Sequence, residues 1–124
     1  MKAEFLIDTV IIIDHLNGVQ KATDWLSKNI DGKSVISVIT RAEVLAGAGD
    51  EEFRAINLLL DKFECLPISP EISNYAAELR KRFNWKLPDA FQAALAKRNH
   101  LLLVTRNTKD FSPELDFVKI PYSL

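Results

Sequence analysis

At 124 residues the chain has room for one domain, 1–124, with a real core, and not for two. Apolar residues make up 48% and charged residues 27%, an ordinary globular balance. A formal charge of −1 excludes a general electrostatic pull toward nucleic acid. A polyanionic ligand would need a local basic surface or bound cations.

The longest apolar run near the start, Phe5 to Ile13, is broken by Asp8 and Thr9 and falls far short of the roughly 20 residues of a membrane span. No charged-apolar-small signal pattern precedes it, so a cytoplasmic address is expected. The single cysteine, Cys65, has no internal partner for a disulfide and reads as a buried structural thiol.

In chain order, Ala3 to Ile7 reads as a buried parallel strand that ends abruptly in the carboxylate of Asp8. Open α/β sheets place their ligands at that edge. Val10 to Leu16 reads as a short helix stopped by Asn17-Gly18. Val19, Ala22, Leu26 and Ile30 then follow helical spacing, with Lys21, Asp24 and Lys28 turned outward. After the turn Asp31-Gly32-Lys33, the β-branched stretch Ser34 to Ile39 predicts a second strand, and Thr40 a helix running to about Gly47. From Asp50 to Phe63, residues Phe53, Ile56, Leu59, Leu60 and Phe63 form one stripe. Cys65 to Ile68 is a short strand candidate. Ile72, Tyr75, Ala76, Leu79 and Phe83 give the clearest helical pattern in the chain.

Pro88 opens a further helix, Asp89 to Asn99, whose alanines suit close packing on a sheet. Leu101 to Val104 is an apolar strand, and a last strand lies near Phe117 to Ile120. Strand and helix patterns alternate throughout, which predicts an α/β fold with a parallel sheet covered on both faces.

Each acid near a strand end has a structural explanation. Asp8 suits an N-cap, and Glu43 completes a T-x-x-E capping box with Thr40. Asp89 sits in a first helical turn, where the dipole favours negative charge, and Asp110 suits a turn before Phe111. Their combination suggests more. At least two of Asp8, Glu43 and Asp89 project from the same sheet edge, and carboxylates brought together repel unless a cation intervenes. Oxygen-only donors, with neither His15 nor His100 at ligand spacing, favour Mg²⁺ or Mn²⁺ over zinc. Arg41, Lys86, Arg106 and Lys109 lie close in sequence to the acids. They read either as charge balance on solvated faces or as a rim for phosphates.

At these residues the chain resembles a PIN-domain ribonuclease of the VapC toxin type. The anchors are Leu6-Ile7-Asp8-Thr9, then Ser37-Val38-Ile39-Thr40 leading to Glu43-Val44-Leu45-Ala46-Gly47, Leu87-Pro88-Asp89-Ala90, and Leu103-Val104-Thr105-Arg106-Asn107 through Asp110-Phe111. The resemblance covers nearly the whole length. It implies a three-layer sandwich around a five-stranded parallel sheet, with Asp8, Glu43 and Asp89 as the catalytic acids and metal donors. A fourth acid is usual after the fourth strand; Asn107 stands there, with Asp110 three residues on, and either is a candidate metal donor. A polar residue often follows Thr9 in the family, and here it is Val10.

The resemblance further implies hydrolysis of RNA with Mg²⁺ (or Mn²⁺), a VapB-like antitoxin as restraining partner, and a homodimer. Thr9 and Thr105 would contact carboxylate or phosphate, and Arg41, Lys86, Arg106 and Lys109 the phosphates. A rival reading is a catalytically weak PIN-like module that binds RNA or protein, which Val10 and Asn107 favour. A haloacid-dehalogenase-like phosphotransferase wants a second Asp two residues after the first, where this chain has Val10.

Overall fold

The computed structural model describes residues 2–124. Among these, five strands form one all-parallel sheet in the order β3-β2-β1-β4-β5. The strands are β1 (Phe5–Ile7), β2 (Ser34–Ser37), β3 (Glu64–Leu66), β4 (Leu102–Val104) and β5 (Val118–Lys119). Six helices connect and cover them: α1 (Thr9–Leu16), α2 (Gln20–Asn29), α3 (Val38–Ala46), α4 (Phe53–Leu60), α5 (Pro70–Phe83) and α6 (Leu87–Arg98). None is long and apolar enough to cross a membrane.

Strand periodicity divides the core in two, because successive side chains leave opposite faces of the sheet. Leu6 pairs in register with Val35 and Leu103, and all three point toward α5 and α6. Ile7, Ile36 and Val104 face the other way, onto Ile11, Ile12, Leu26, Val44, Ile56 and Leu60. Each fully buried Leu or Ile contributes about 1.5–3 kcal/mol relative to exposure, so a one-residue register slip would invert both faces at once. On the α6 side, Ala90, Ala93, Ala94 and Ala96 are all fully buried, and their small side chains let the helix lie against the sheet.

Helix ends follow local chemistry. Ser69 Oγ accepts from Ile72 N at 3.1 Å to cap α5, and Asn84 closes it in the left-handed region at φ 58°. Gly18, at φ +81°, takes the conformation that stops α1 without side-chain strain. One boundary differs from the sequence expectation. The strand expected over Ser34 to Ile39 ends at Ser37, and α3 begins at Val38 instead of Thr40. Ser37 Oγ accepts from Thr40 N at 3.1 Å, so the cap overrides the β-propensity of Val38-Ile39-Thr40. The expected Thr40–Glu43 capping box is therefore not made. The stripe expected over residues 50–63 is helical only from Phe53 to Leu60.

Candidate active site at the carboxyl edge of the sheet

Asp8 leaves the end of the central strand β1 and is 7% exposed. It caps α1, with Oδ1 accepting from Thr9 N at 2.9 Å. Thr105, just past β4, donates its hydroxyl to Asp8 Oδ2 at 2.7 Å. Gln92 Nε2 donates to Asp8 Oδ1 at 3.2 Å. The capping role and a site role are thus compatible: three donors orient the carboxylate while it faces the sheet edge.

From α3, Glu43 Oε1 accepts the Thr9 hydroxyl at 2.7 Å, and Thr9 and Thr40 share a 2.9 Å hydroxyl contact. From the loop after β4, Asn107 Nδ2 donates to Asp110 Oδ2 at 2.8 Å, and Asn107 N donates to Thr105 Oγ1 at 3.0 Å. Trp85 anchors the approach to α6 on this loop by donating Nε1–H to the Asp110 carbonyl at 2.8 Å. Asp89, in the first turn of α6, is thereby set beside Asp110.

Electrostatics ties the acids together. Burial, then repulsion from Asp8, Asp110 and Glu43 in that order, pushes the Asp89 carboxyl up to about 6, against the pull of Lys86. Burial also raises Asp8; its bonds from Thr105, Gln92 and Thr9 oppose the shift, and Glu43 adds to it. Asp8, Glu43, Asp89 and Asp110 therefore occupy one electrostatic neighbourhood. Among the described residues no group of three or more Asp, Glu, His or Cys side chains is placed so that it could hold a metal ion as it stands. In donor chemistry and charge the set fits a hard divalent cation: all the donors are oxygens, and their repulsion is what such an ion relieves.

One consequence concerns stability. An acid whose folded pKa is raised stabilises the fold fully below its unfolded value, near 3.8, and loses that contribution as pH rises through about 6. In the metal-free protein, Asp89→Asn is expected to raise the melting temperature at pH 7 and to leave it nearly unchanged at pH 4. Equal shifts at both pH values, read by calorimetry or circular dichroism, would show that Asp89 does not feel its neighbours.

Two of the expected rim cations are engaged elsewhere. Arg41 donates Nη2 to Asp61 at 2.9 Å and to Asn57 Oδ1, on the α4 side of α3. Residues two apart on a helix do not share a face, so Arg41 and Glu43 diverge. Arg106 grips Asp14 with both arms, Nε to Oδ2 at 2.5 Å and Nη2 to Oδ1 at 2.8 Å. Lys86 and Lys109 are exposed, and Lys86 acts on Asp89.

Three polar residues at the site escaped the sequence reading in this role. Gln92 is 1% exposed and contacts Asp8, Thr40 and Ser37; Thr40 and Ser37 are fully buried. A usable signal existed, because Gln92 lies three residues after Asp89 and so on a neighbouring part of the helix surface.

Comparison with known proteins agrees with this architecture. A profile of the PIN domain matches residues 5–113. The chain is 34% identical to proteins named Ribonuclease VapC10 from two Mycobacterium tuberculosis strains, over 96% of this chain and 93% of theirs. A solved toxin–antitoxin complex from Klebsiella pneumoniae contains a chain 34% identical to this one, at a TM-score of 0.88, covering 98% of this chain and 100% of that one. FitAcB from Neisseria gonorrhoeae, at 24% identity and TM-score 0.81 over 97% of this chain and 99% of that one, shares the fold. With its parallel five-stranded sheet and its match along nearly the whole length, the chain belongs to the PIN domain family.

Proposed function

We propose that the chain is a divalent-metal-dependent endoribonuclease and the toxin half of a toxin–antitoxin pair. The observation that carries this reading is Asp8: a buried carboxylate at the end of the central strand, held by Thr105 and Gln92, within electrostatic reach of Asp89 and Glu43. The name of the mycobacterial relatives supports the activity, and the Klebsiella complex supports the pairing.

In this reading Asp8 and Asp89 would hold the ion, Glu43 would hold it or orient the attacking water, and Asn107 or Asp110 would supply a fourth oxygen. A bound Mg²⁺ supplies Lewis acidity at the phosphate and makes a water more acidic. Thr9 and Thr105 fix the carboxylates. Lys86 and Lys109 meet the RNA backbone, since Arg41 and Arg106 are already paired. The water oxygen bonds to phosphorus as one ester P–O bond breaks; the attacking water gives up a proton, and the leaving ribose oxygen takes one up from solvent. Beside Glu43 runs a groove lined by Ile13, Leu16 and Ile56 together with Asn17 and Glu52, a mixed apolar and polar surface on which an antitoxin segment would lie.

One feature favours the binding-only alternative. Asn107 stands where the resemblance places an acid, and its amide is tied to Asp110. Cleavage separates the two readings. The purified chain is expected to cut structured RNA with Mg²⁺, to stop in excess chelator, and to resume when Mg²⁺ or Mn²⁺ is restored. Cleavage that persists in chelator, or no cleavage with either ion, would refute the proposal.

A further inference from the structure

We propose that Gln92 is a positioning residue that sets Asp8 and Glu43 in their working orientations from beneath the acidic edge, an inference that rests on the nuclease reading above. Its side chain is buried between α6, β1 and α3, and each of its polar atoms is engaged. Oε1 accepts the Ser37 hydroxyl at 2.7 Å, and Nε2 donates to Thr40 Oγ1 at 2.8 Å and Asp8 Oδ1 at 3.2 Å.

The direction of these bonds is fixed by the Asp8 carboxylate, which can only accept. The Gln92 amide therefore turns its N–H₂ toward Asp8 and Thr40, which leaves Oε1 to accept the Ser37 hydrogen, while Ser37 Oγ accepts from Thr40 N at 3.1 Å. At the far end, Thr9 donates its hydrogen to Glu43 Oε1 at 2.7 Å, so the hydrogen in the 2.9 Å Thr9–Thr40 contact comes from Thr40. From Ser37 onward every donor points toward a carboxylate: Gln92 to Asp8 on one branch, and Gln92, Thr40 and Thr9 to Glu43 on the other. Flipping the amide would set Oε1 against the Asp8 carboxylate, two acceptors with no hydrogen between them.

Both acids therefore share one amide donor, which reaches Asp8 directly and Glu43 through Thr40 and Thr9. Groups that orient metal-holding carboxylates from behind typically change ion affinity by 10–100-fold when removed. A glutamine that only filled the core would change stability and leave ion affinity alone.

The test measures Mn²⁺ affinity by calorimetry, together with melting temperature and steady-state RNA cleavage, for the wild type, Gln92→Met and Thr40→Val. Gln92→Met keeps the side-chain length and loses every bond; it is expected to weaken Mn²⁺ binding about 10-fold or more and to lower kcat with KM for RNA unchanged. Thr40→Val keeps the bond to Asp8 and cuts the branch to Glu43, so a smaller, several-fold loss is expected. If Gln92→Met does not fold, Thr40→Val decides. Folded variants that bind Mn²⁺ as the wild type does would overturn this inference and spare the nuclease reading. A wild type that neither binds Mn²⁺ nor cuts RNA would overturn both.

Discussion

Asp8→Asn is expected to reduce RNA cleavage by on the order of 10³ while leaving the fold intact. Asparagine retains one carbonyl oxygen, which can still accept from Thr9 N and Gln92 Nε2, and presents its amide to Thr105, whose hydroxyl oxygen can accept. What is lost is the negative charge at the end of β1. Because burial already opposes that charge, the metal-free variant should melt at or above the wild-type temperature at neutral pH. Asp8→Ala would behave differently, since it leaves buried donors without an acceptor and costs about 1–3 kcal/mol. Activity lost without stability is the signature of a site residue. An Asp8→Asn protein that cuts at the wild-type rate would remove Asp8 from the active site and, with it, the acidic-cluster mechanism.

The largest effect on stability is expected at the opposite end of α1. Asp14 is 4% exposed and accepts from both arms of Arg106 and from the Tyr122 hydroxyl at 2.7 Å. Arg106 first, then Tyr122, hold its carboxyl below the ordinary range against the opposing effect of burial. A depressed acid contributes stability above its unfolded pKa and loses it as pH falls through the lower folded value, so this cluster stabilises the fold at neutral pH. Arg106→Met would leave a buried charge with one hydroxyl partner, a cost of about 3 kcal/mol and a drop in melting temperature of about 10 °C. The double variant Asp14→Leu/Arg106→Met should recover most of that loss, because the cost lies in the orphaned charge. If the single variant melts with the wild type, the pair behaves as an exposed one and contributes little.

How far the sequence could be read depended on how local each determinant was. The placement of Asp8 followed from an apolar run ending in a carboxylate, and α5 followed from its i, i+3, i+4 stripe. Each of these patterns is set by residues within a few positions of one another. The β2–α3 boundary was misplaced because Val38, Ile39 and Thr40 are good strand formers, whereas the deciding bond is the Ser37 cap. Gln92 carries no local signal in an alanine-rich helix, and only the packing of α6 on the sheet buries it. Arg106 and Asp14 lie 92 positions apart, so no local pattern could pair them, and closeness to Asp110 in sequence offers Arg106 only as charge balance or as a rim cation. Charge near an acid in sequence is weak guidance to contact in space. Arg41, committed to Asp61, repeats the lesson.

Anomalous diffraction from crystals soaked in Mn²⁺ would show whether separate stretches of this chain converge their oxygens on one divalent ion. A peak is expected at about 2.0–2.2 Å from carboxylate oxygens of both Asp8 and Asp89, lost in Asp8→Asn. A peak elsewhere, or none at a concentration that supports RNA cleavage, would contradict that convergence.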